Sequence, residues 1–224
     1  MRWKAGRLVK KASADRVIKQ SELGGWKRYE VGNEKGESIL TFQFQFTNQD
    51  TLQLEFQERE ALPQTVDQHS RIRVNFKSDD SDSYFGMGMR FNQCNHKGTV
   101  VTNWCREVGP NLPLVAKKGT AEGRDTTYAP VPFFVNFKGY GLLLRSLHYS
   151  TFDFGSKDKN RFAIENNTSD LKLELFFGER PLDVVSSYYQ QTGRYKKPKP
   201  WVFGVWAAAS ADWQSKTIGE VVSG

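Results

Sequence analysis

Residues 40–47, Leu40-Thr41-Phe42-Gln43-Phe44-Gln45-Phe46-Thr47, alternate apolar and polar side chains without a break. Successive side chains of a strand point to opposite faces, so this period of two places Leu40, Phe42, Phe44 and Phe46 on a dry face and the Thr and Gln residues on a wet one. The same pattern recurs on either side of the turn-like Asn48-Gln49-Asp50, where Leu52, Leu54 and Phe56 alternate with polar residues, and again at Ile72, Val74 and Phe76. Three such strands imply an antiparallel sheet with one face against a core.

Further along, the strands become apolar on both faces. The stretches 131–137 (VPFFVNF), 139–146 (GYGLLLRS), 150–156 (STFDFGS), 161–166 (RFAIEN) and 171–178 (LKLELFFG) point to strands buried between layers, as in a two-sheet sandwich. Residues 108–127 carry Gly, Pro and charge without periodicity and read as a long loop. At Pro181 the period changes. Pro181 suits a first helical turn, Asp183 lies early, Val184, Val185, Tyr188 and Tyr189 form one stripe, and Gly193 stands where a helix is capped. The basic, proline-containing stretch 194–200 (RYKKPKP) reads as an extended linker. Beyond it, 201–210 (WVFGVWAAAS) reads as a buried strand, and Ser215 can cap a helix bearing Ile218, Val221 and Val222. The expected organisation is a mainly β chain: a sandwich over residues 1–180, a helix and linker over 181–199, and one βα unit over 200–224. That last unit is too small to fold alone.

Composition narrows the function classes. The chain has 224 residues, 16 of them Phe, and is 13% aromatic, which favours sheet over helix. No apolar run approaches the length that crosses a membrane, and the basic N-terminus lacks the apolar segment of a secretory signal, so a cytoplasmic protein is expected. The net charge of +7 is concentrated in residues 1–19, where Arg2, Lys4, Arg7, Lys10, Lys11, Arg16 and Lys19 face one acid, Asp15. Such a segment reads as a strand edge or solvated tail, and no nucleic-acid signature accompanies it. Two cysteines, Cys94 and Cys105, do not make a disulfide framework, although a bridge between them is open. Cys94, His96 and Cys105 also allow a metal reading, but a second close pair and a fourth ligand are missing, so no metal and no cofactor are expected. The sequons at Asn166 and Asn167 are explained by a polar turn.

Catalytic constellations are not visible. The Gly-x-Gly of FGMGMRF (85–91) sits among strand-like residues with no helix after it, which excludes a dinucleotide loop. There is no phosphate loop, no serine elbow and no histidine pair at helical spacing.

Several motifs taken in order carry a resemblance. Tyr84 to Phe91 resembles Tyr-x-Gly-x-Gly-Glu-Arg-Phe. Val131-Pro132-Phe133-Phe134 followed by Gly139-Tyr140-Gly141 resembles a Pro-Phe…Gly-Tyr-Gly pair of strands. Gly178 to Gly193 resembles a Gly-x-x-Pro…Tyr…Thr-Gly helix, and Pro200-Trp201 with Phe203-Gly204 the approach to a barrel. Together these resemble the N-terminal part of glycoside hydrolase family 31, the α-glucosidase and α-xylosidase family, from about residue 70 to Gly224 and more loosely from Phe42. The resemblance implies a galactose-mutarotase-like sandwich leading into a (β/α)8 barrel, of which only the first strand and part of the first helix are expected here, since such a barrel takes about 250 residues. The family's two catalytic aspartates lie on later barrel strands, expected beyond Gly224, so no catalytic residue is assigned and the chain alone is expected to be inactive and prone to association.

Trp104-Cys105-Arg106-Glu107 resembles the family's Trp-Asn-Arg-Asp, whose aspartate binds sugar hydroxyls. Arg106 would supply a rigid fork of donors and Glu107 would accept from paired hydroxyls. By pattern alone a surface ion pair beside a structural Trp is the stronger reading, and the resemblance reverses that order. Three departures stand out: Glu107 replaces Asp, Met89 replaces the Glu of Gly-Glu-Arg-Phe, and Ala207 to Ala211 lack the aromatic that often shapes the sugar pocket. A pocket widened at Ser210 and Ala211 and closed by Trp213 would suit an unusual sugar. The expected partners are a carbohydrate substrate and the remainder of the barrel, with no nucleic acid and no membrane, and with self-association open. Two other functions are weighed: a non-catalytic carbohydrate-binding module, and a mutarotase-type epimerase, for which His69, His96 and His148 are the available bases.

Overall fold

The computed structural model of the chain describes residues 16–59, 70–90, 92–105, 127–194 and 196–204. The chain divides into two units, Met1–Thr192 and Gly193–Gly224. The first holds twelve described strands: β1 (Arg16–Leu23), β2 (Trp26–Gly32), β3 (Ser38–Asn48), β4 (Thr51–Glu58), β5 (Ile72–Lys77), β6 (Tyr84–Gly88), β7 (Val100–Asn103), β8 (Pro130–Asn136), β9 (Tyr140–Leu144), β10 (Ser150–Asp153), β11 (Arg161–Asn166) and β12 (Asp170–Phe177). They form an eight-stranded sheet in the order β1-β2-β3-β4-β12-β9-β8-β6 and a four-stranded sheet in the order β5-β11-β10-β7. Every pairing is antiparallel.

The two sheets enclose one core. Phe42 pairs with Phe56 and Phe56 with Leu171, while Leu54 pairs with Leu173 and Leu173 with Leu144, so one apolar stripe crosses the large sheet. Phe152, Phe162 and Ile164 answer it from the small sheet. Fully buried Phe134 sits at the centre, with its ring edge-on to Tyr84, Phe152, Phe154 and Phe162 at centroid distances of 5.3, 6.4, 5.2 and 5.7 Å. Such crossings suit the ring quadrupoles.

The runs that are apolar on both faces have a specific cause. Phe134 and Leu142 turn to the sandwich core, while Phe133, Val135, Leu143 and Phe176 turn the other way, under helix α1 (Pro181–Thr192). Val184 is fully buried there and the Tyr188 ring stacks on Phe133 at 4.0 Å. The helix begins as its sequence suggests, with the Asp183 carboxylate accepting from the Arg180 backbone N–H at 3.1 Å. The architecture is thus a small sheet, a large sheet and a helix, in three layers.

Three expectations change. Strand β5 does not extend the β3–β4 sheet; it crosses to the small sheet and pairs with β11. Leu40, Phe42 and Phe44 are half-buried against the core, but Phe46 is 62% exposed, because the register shifts between Phe46 and Asn48 and carries the strand end off the core. In the second unit, Pro200–Phe203 is a 3-10 turn rather than strand, with the Val202 N–H donating to Lys199 O at 3.0 Å. Pro200 favours this start, since its fixed φ and missing N–H suit a first helical turn. Residues 205–224, and with them the remainder of the expected barrel strand and its helix, lie outside the described residues. No described helix is long and apolar enough to cross a membrane.

One end of the sandwich is locked by a polar cluster. Buried Asp82 accepts from the Asp79 N–H at 2.8 Å and from Asn136 Nδ2 at 2.9 Å, and pairs with Lys138 at 3.1 Å. Lys97 Nζ donates to Ser78 Oγ and Asp79 O, each at 2.7 Å, and Ser78 Oγ meets the Tyr84 hydroxyl at 2.8 Å. Burial alone would raise the Asp82 pKa, but these hydrogen bonds and Lys138 outweigh it and hold the carboxyl below its ordinary 3.8. The Lys138 hydrogen bond lowers Asp79 in the same direction. A depressed folded-state pKa stabilises fully above the unfolded value, and the contribution disappears as pH falls through the folded value. Stability is therefore expected to be level above about pH 5 and to fall from about pH 4 downward. Thermal melts of the parent and Asp82→Asn check this: the acid slope should be shallower in the variant, and an identical slope would count against the cluster.

Candidate functional site

The other end of the sandwich carries a cavity of about 680 Å³. Its wall comes from the end of β7 with Asn103, Trp104 and Cys105, from Pro130 and Pro132 of β8, and from the end of β9 with Leu143 to Leu147, and Thr192 of α1 closes it. The Trp104 indole is 46% exposed and lies against Tyr149 at 5.9 Å.

What places Trp104 there begins in β6. Gly86, Met87 and Gly88 all have positive φ, at 120°, 66° and 81°, and the β6–β8 register shifts between Gly86 and Gly88. This is a β-bulge, and it explains the Gly-x-Gly: the glycines adopt backbone that side chains resist and let β8 approach. A Cβ on Gly88 would overlap Ala129 O and stand 2.6 Å from Val131 N. The bulge turns Met87 O toward Arg90, whose Nε donates to it at 2.9 Å while Nη2 donates to Thr102 O at 2.9 Å. Arg90 thereby ties the bulge to the strand that delivers Trp104. Cys105 Sγ donates to Tyr128 O at 3.2 Å, linking the end of this segment to the approach to β8.

Among the described residues, the one charged side chain of the wall is Arg145. Its Nη2 pairs with Glu174 at 2.8 Å, and Glu174, only 5% exposed, also accepts from Gln53 Nε2 at 3.1 Å. A buried carboxylate needs such partners, and here they fix the guanidinium at the rim. Trp104, Asn103 and Arg145 thus offer a ring face, an amide and a cationic fork on one wall, a set suited to a polyhydroxylated ligand.

Among the residues expected to bind substrate, Trp104 is at this cavity. Arg106, Glu107, Ser210, Ala211 and Trp213 lie outside the described residues, as does the long loop up to residue 126. Asn103 and Arg145 were not singled out in the sequence. Met89 is 44% exposed, with its N–H donating to Ala129 O at 3.0 Å and its carbonyl accepting from Thr127 Oγ1 at 2.6 Å. The bridge left open between Cys94 and Cys105 is not formed: both are free and exposed. The metal reading has no support, because His96 is buried, its Nε2 3.2 Å from Gly86 O and its ring stacked 6.1 Å from Phe154. No cluster of His, Cys, Asp or Glu among the described residues could hold a metal ion. Of the other histidines, His148 is exposed and His69 lies outside the described residues.

Comparison with known proteins gives this geometry a context. The alpha-xylosidase XylQ of Lactiplantibacillus pentosus is 25% identical over 174 residues, covering 75% of this chain and 21% of the relative. The isomaltosyltransferase of Sporosarcina globispora is 27% identical over 152 residues, covering 66% of this chain and 13% of the relative. The chain therefore spans about a fifth or less of the length of these two relatives. The structure of the cycloalternan-forming enzyme from Listeria monocytogenes, solved with a pentasaccharide substrate, shares the fold with a TM-score of 0.71 at 17% identity, covering 94% of this chain and 25% of that one. Residues 4–153 match the model of the glycosyl hydrolase 31 N-terminal galactose mutarotase-like domain, and the chain belongs to that family.

Proposed function

We propose that this chain is the N-terminal part of a retaining glycoside hydrolase acting on α-linked glycosides of the α-glucosidase or α-xylosidase type. The sandwich of residues 1–180 supports a (β/α)8 barrel that starts near residue 200, with residues 181–199 as helix and linker, and lends the Trp104–Glu107 loop to the sugar pocket. The observation that carries the reading is Trp104 at the mouth of a cavity, in a chain of this family. Arg106 and Glu107 follow Trp104 directly and are proposed to bind sugar hydroxyls, and Ser210, Ala211 and Trp213 to shape the pocket from the barrel side. Retaining chemistry needs a nucleophilic carboxylate and an acid/base carboxylate about 5 Å apart. Both are proposed to come from the barrel, so the sandwich positions substrate and performs no step itself.

A second reading has one observation in its favour. Similarity to an isomaltosyltransferase allows the glycosyl group to pass to a sugar hydroxyl instead of water. Product analysis with an α-glycoside and a sugar acceptor separates the two.

The purified 224-residue chain is expected to give no turnover of aryl α-glucosides or α-xylosides, and turnover abolished by one local point mutation overturns the division of labour. In a protein where the chain continues through a complete barrel, Trp104→Ala is expected to lower kcat/KM for the α-glycoside by roughly tenfold, chiefly through KM. An unchanged KM would remove Trp104 from the pocket.

A further inference from the structure

The pairing of β5 with β11 ends on a repulsive contact. Lys77 and Arg161 stand directly opposite each other, next to the core pair Phe76 and Phe162, so the two cations share the outer face of the small sheet. Like charges in such a position are destabilising. Among the described residues, Lys77 has no ion-pair or hydrogen-bond partner. Arg161 meets one acid, Asp158, through Nε at 3.4 Å, and with the two side chains 67% and 51% exposed that contact neutralises little. The Asp158 carboxylate is turned into its own loop, where it also accepts from the Asn160 N–H at 3.0 Å. The two terminal nitrogens of Arg161 are left over.

Both cations line an open cavity of about 530 Å³, together with Asn75, Phe76, Ser78 and Asn160. That volume suits a small molecule, and among the described residues no carboxylate lines it. Lys97 Nζ donates to Ser78 Oγ of this wall at 2.7 Å and to Asp79 O and Lys159 O at 2.7 and 3.2 Å. A third cation thus adds its field with its donors already spent. Asn75 Oδ1 accepts from Arg73 Nε at 3.4 Å, which leaves the Asn75 amide nitrogen to donate. We infer that this cavity binds a tetrahedral oxyanion, phosphate or sulfate, either free or carried on a sugar-sized molecule. Lys77 supplies a point charge, Arg161 a two-pronged donor and Asn75 an amide donor, and the bound anion relieves the repulsion built into the strand register. The inference does not depend on the reading of the Trp104 cavity.

The test is titration of the 224-residue chain at constant ionic strength with inorganic phosphate, glucose 6-phosphate and glucose, following the Asn75 and Asn160 side-chain amides by NMR. Saturable shifts with the two anions and none with glucose support the site. Tighter binding of glucose 6-phosphate assigns it to a phosphorylated sugar, and equal or weaker binding assigns it to the free anion. Lys77→Gln and Arg161→Gln are each expected to weaken binding about tenfold, whereas Lys27→Gln, which removes the same charge from β2, leaves it unchanged. No saturable shift with either anion overturns the site, and so does an equal loss in all three variants, which would mark general charge attraction. Stability supplies a second reading: without anion, Lys77→Gln should melt no lower than the parent, because it removes a like-charge contact. A lower melting temperature in that variant overturns the repulsion from which the inference starts.

Discussion

Replacing Phe134 with alanine is expected to cost about 3–5 kcal/mol of folding free energy, a large share of the roughly 5–15 kcal/mol a domain of this kind has. Phe134 is fully buried and its ring meets five aromatic neighbours edge-on, drawn from both sheets. Most of those neighbours sit on hydrogen-bonded strands, so they cannot readily close in on the space left behind, and the cavity cost adds to the lost transfer energy. In a sandwich of this size the melting temperature should fall by roughly 10 °C or more. Urea unfolding followed by near-ultraviolet circular dichroism measures it. A loss below about 1 kcal/mol would mean that the two sheets are not joined through this ring.

Gly88→Ala is expected to cost about 2–5 kcal/mol, the sum of left-handed strain and of forcing backbone apart. Its φ is +81° and the added methyl would overlap Ala129 O, a backbone atom fixed in the approach to β8. Gly24→Ala is the control, since Gly24 has φ +59° but nothing within 4 Å of an added Cβ. The difference between the two isolates the steric part. The corollary is directional: the bulge aims Met87 O at Arg90, and Arg90 holds Thr102, so Gly88→Ala should disturb the placement of Trp104 as well as stability. Equal costs for the two glycines would show that β8 gives way.

Much of the architecture was legible because its causes are local. Alternation at Leu40–Phe46 names a strand and its dry face, and Pro181 and Gly193 bracket a helix. The doubled apolarity of 131–137 is also readable, although whether its second face meets a sheet or a helix depends on where the chain returns. Sheet membership was not legible. Nothing within Ile72–Phe76 distinguishes a third strand of one sheet from the first of another, because the pairing with β11 is made some 90 residues away. The site divided in the same manner. Trp104 stood in a motif, whereas Arg145 closes an apolar run and gains its meaning only when Glu174, buried mid-strand in β12, pairs with it. The glutamate inside LKLELFF was the available signal, since a charge on a buried strand requires a partner.

The pairing of β4 with β12 also orders events in time. Strands β1 to β4 form a meander by local pairing, but the inner edge of β4 is filled only by a strand that begins at Asp170, more than 100 residues after Glu58. At roughly 10 residues per second on the ribosome, the first four strands wait on the order of 10 s with an unpaired edge and the half-buried aromatic face of Phe42, Phe44 and Phe56 exposed. High contact order makes that closure slow as well as late. The interval, rather than the finished sandwich, is the stage at which a nascent chain can add a neighbour's strand to β4.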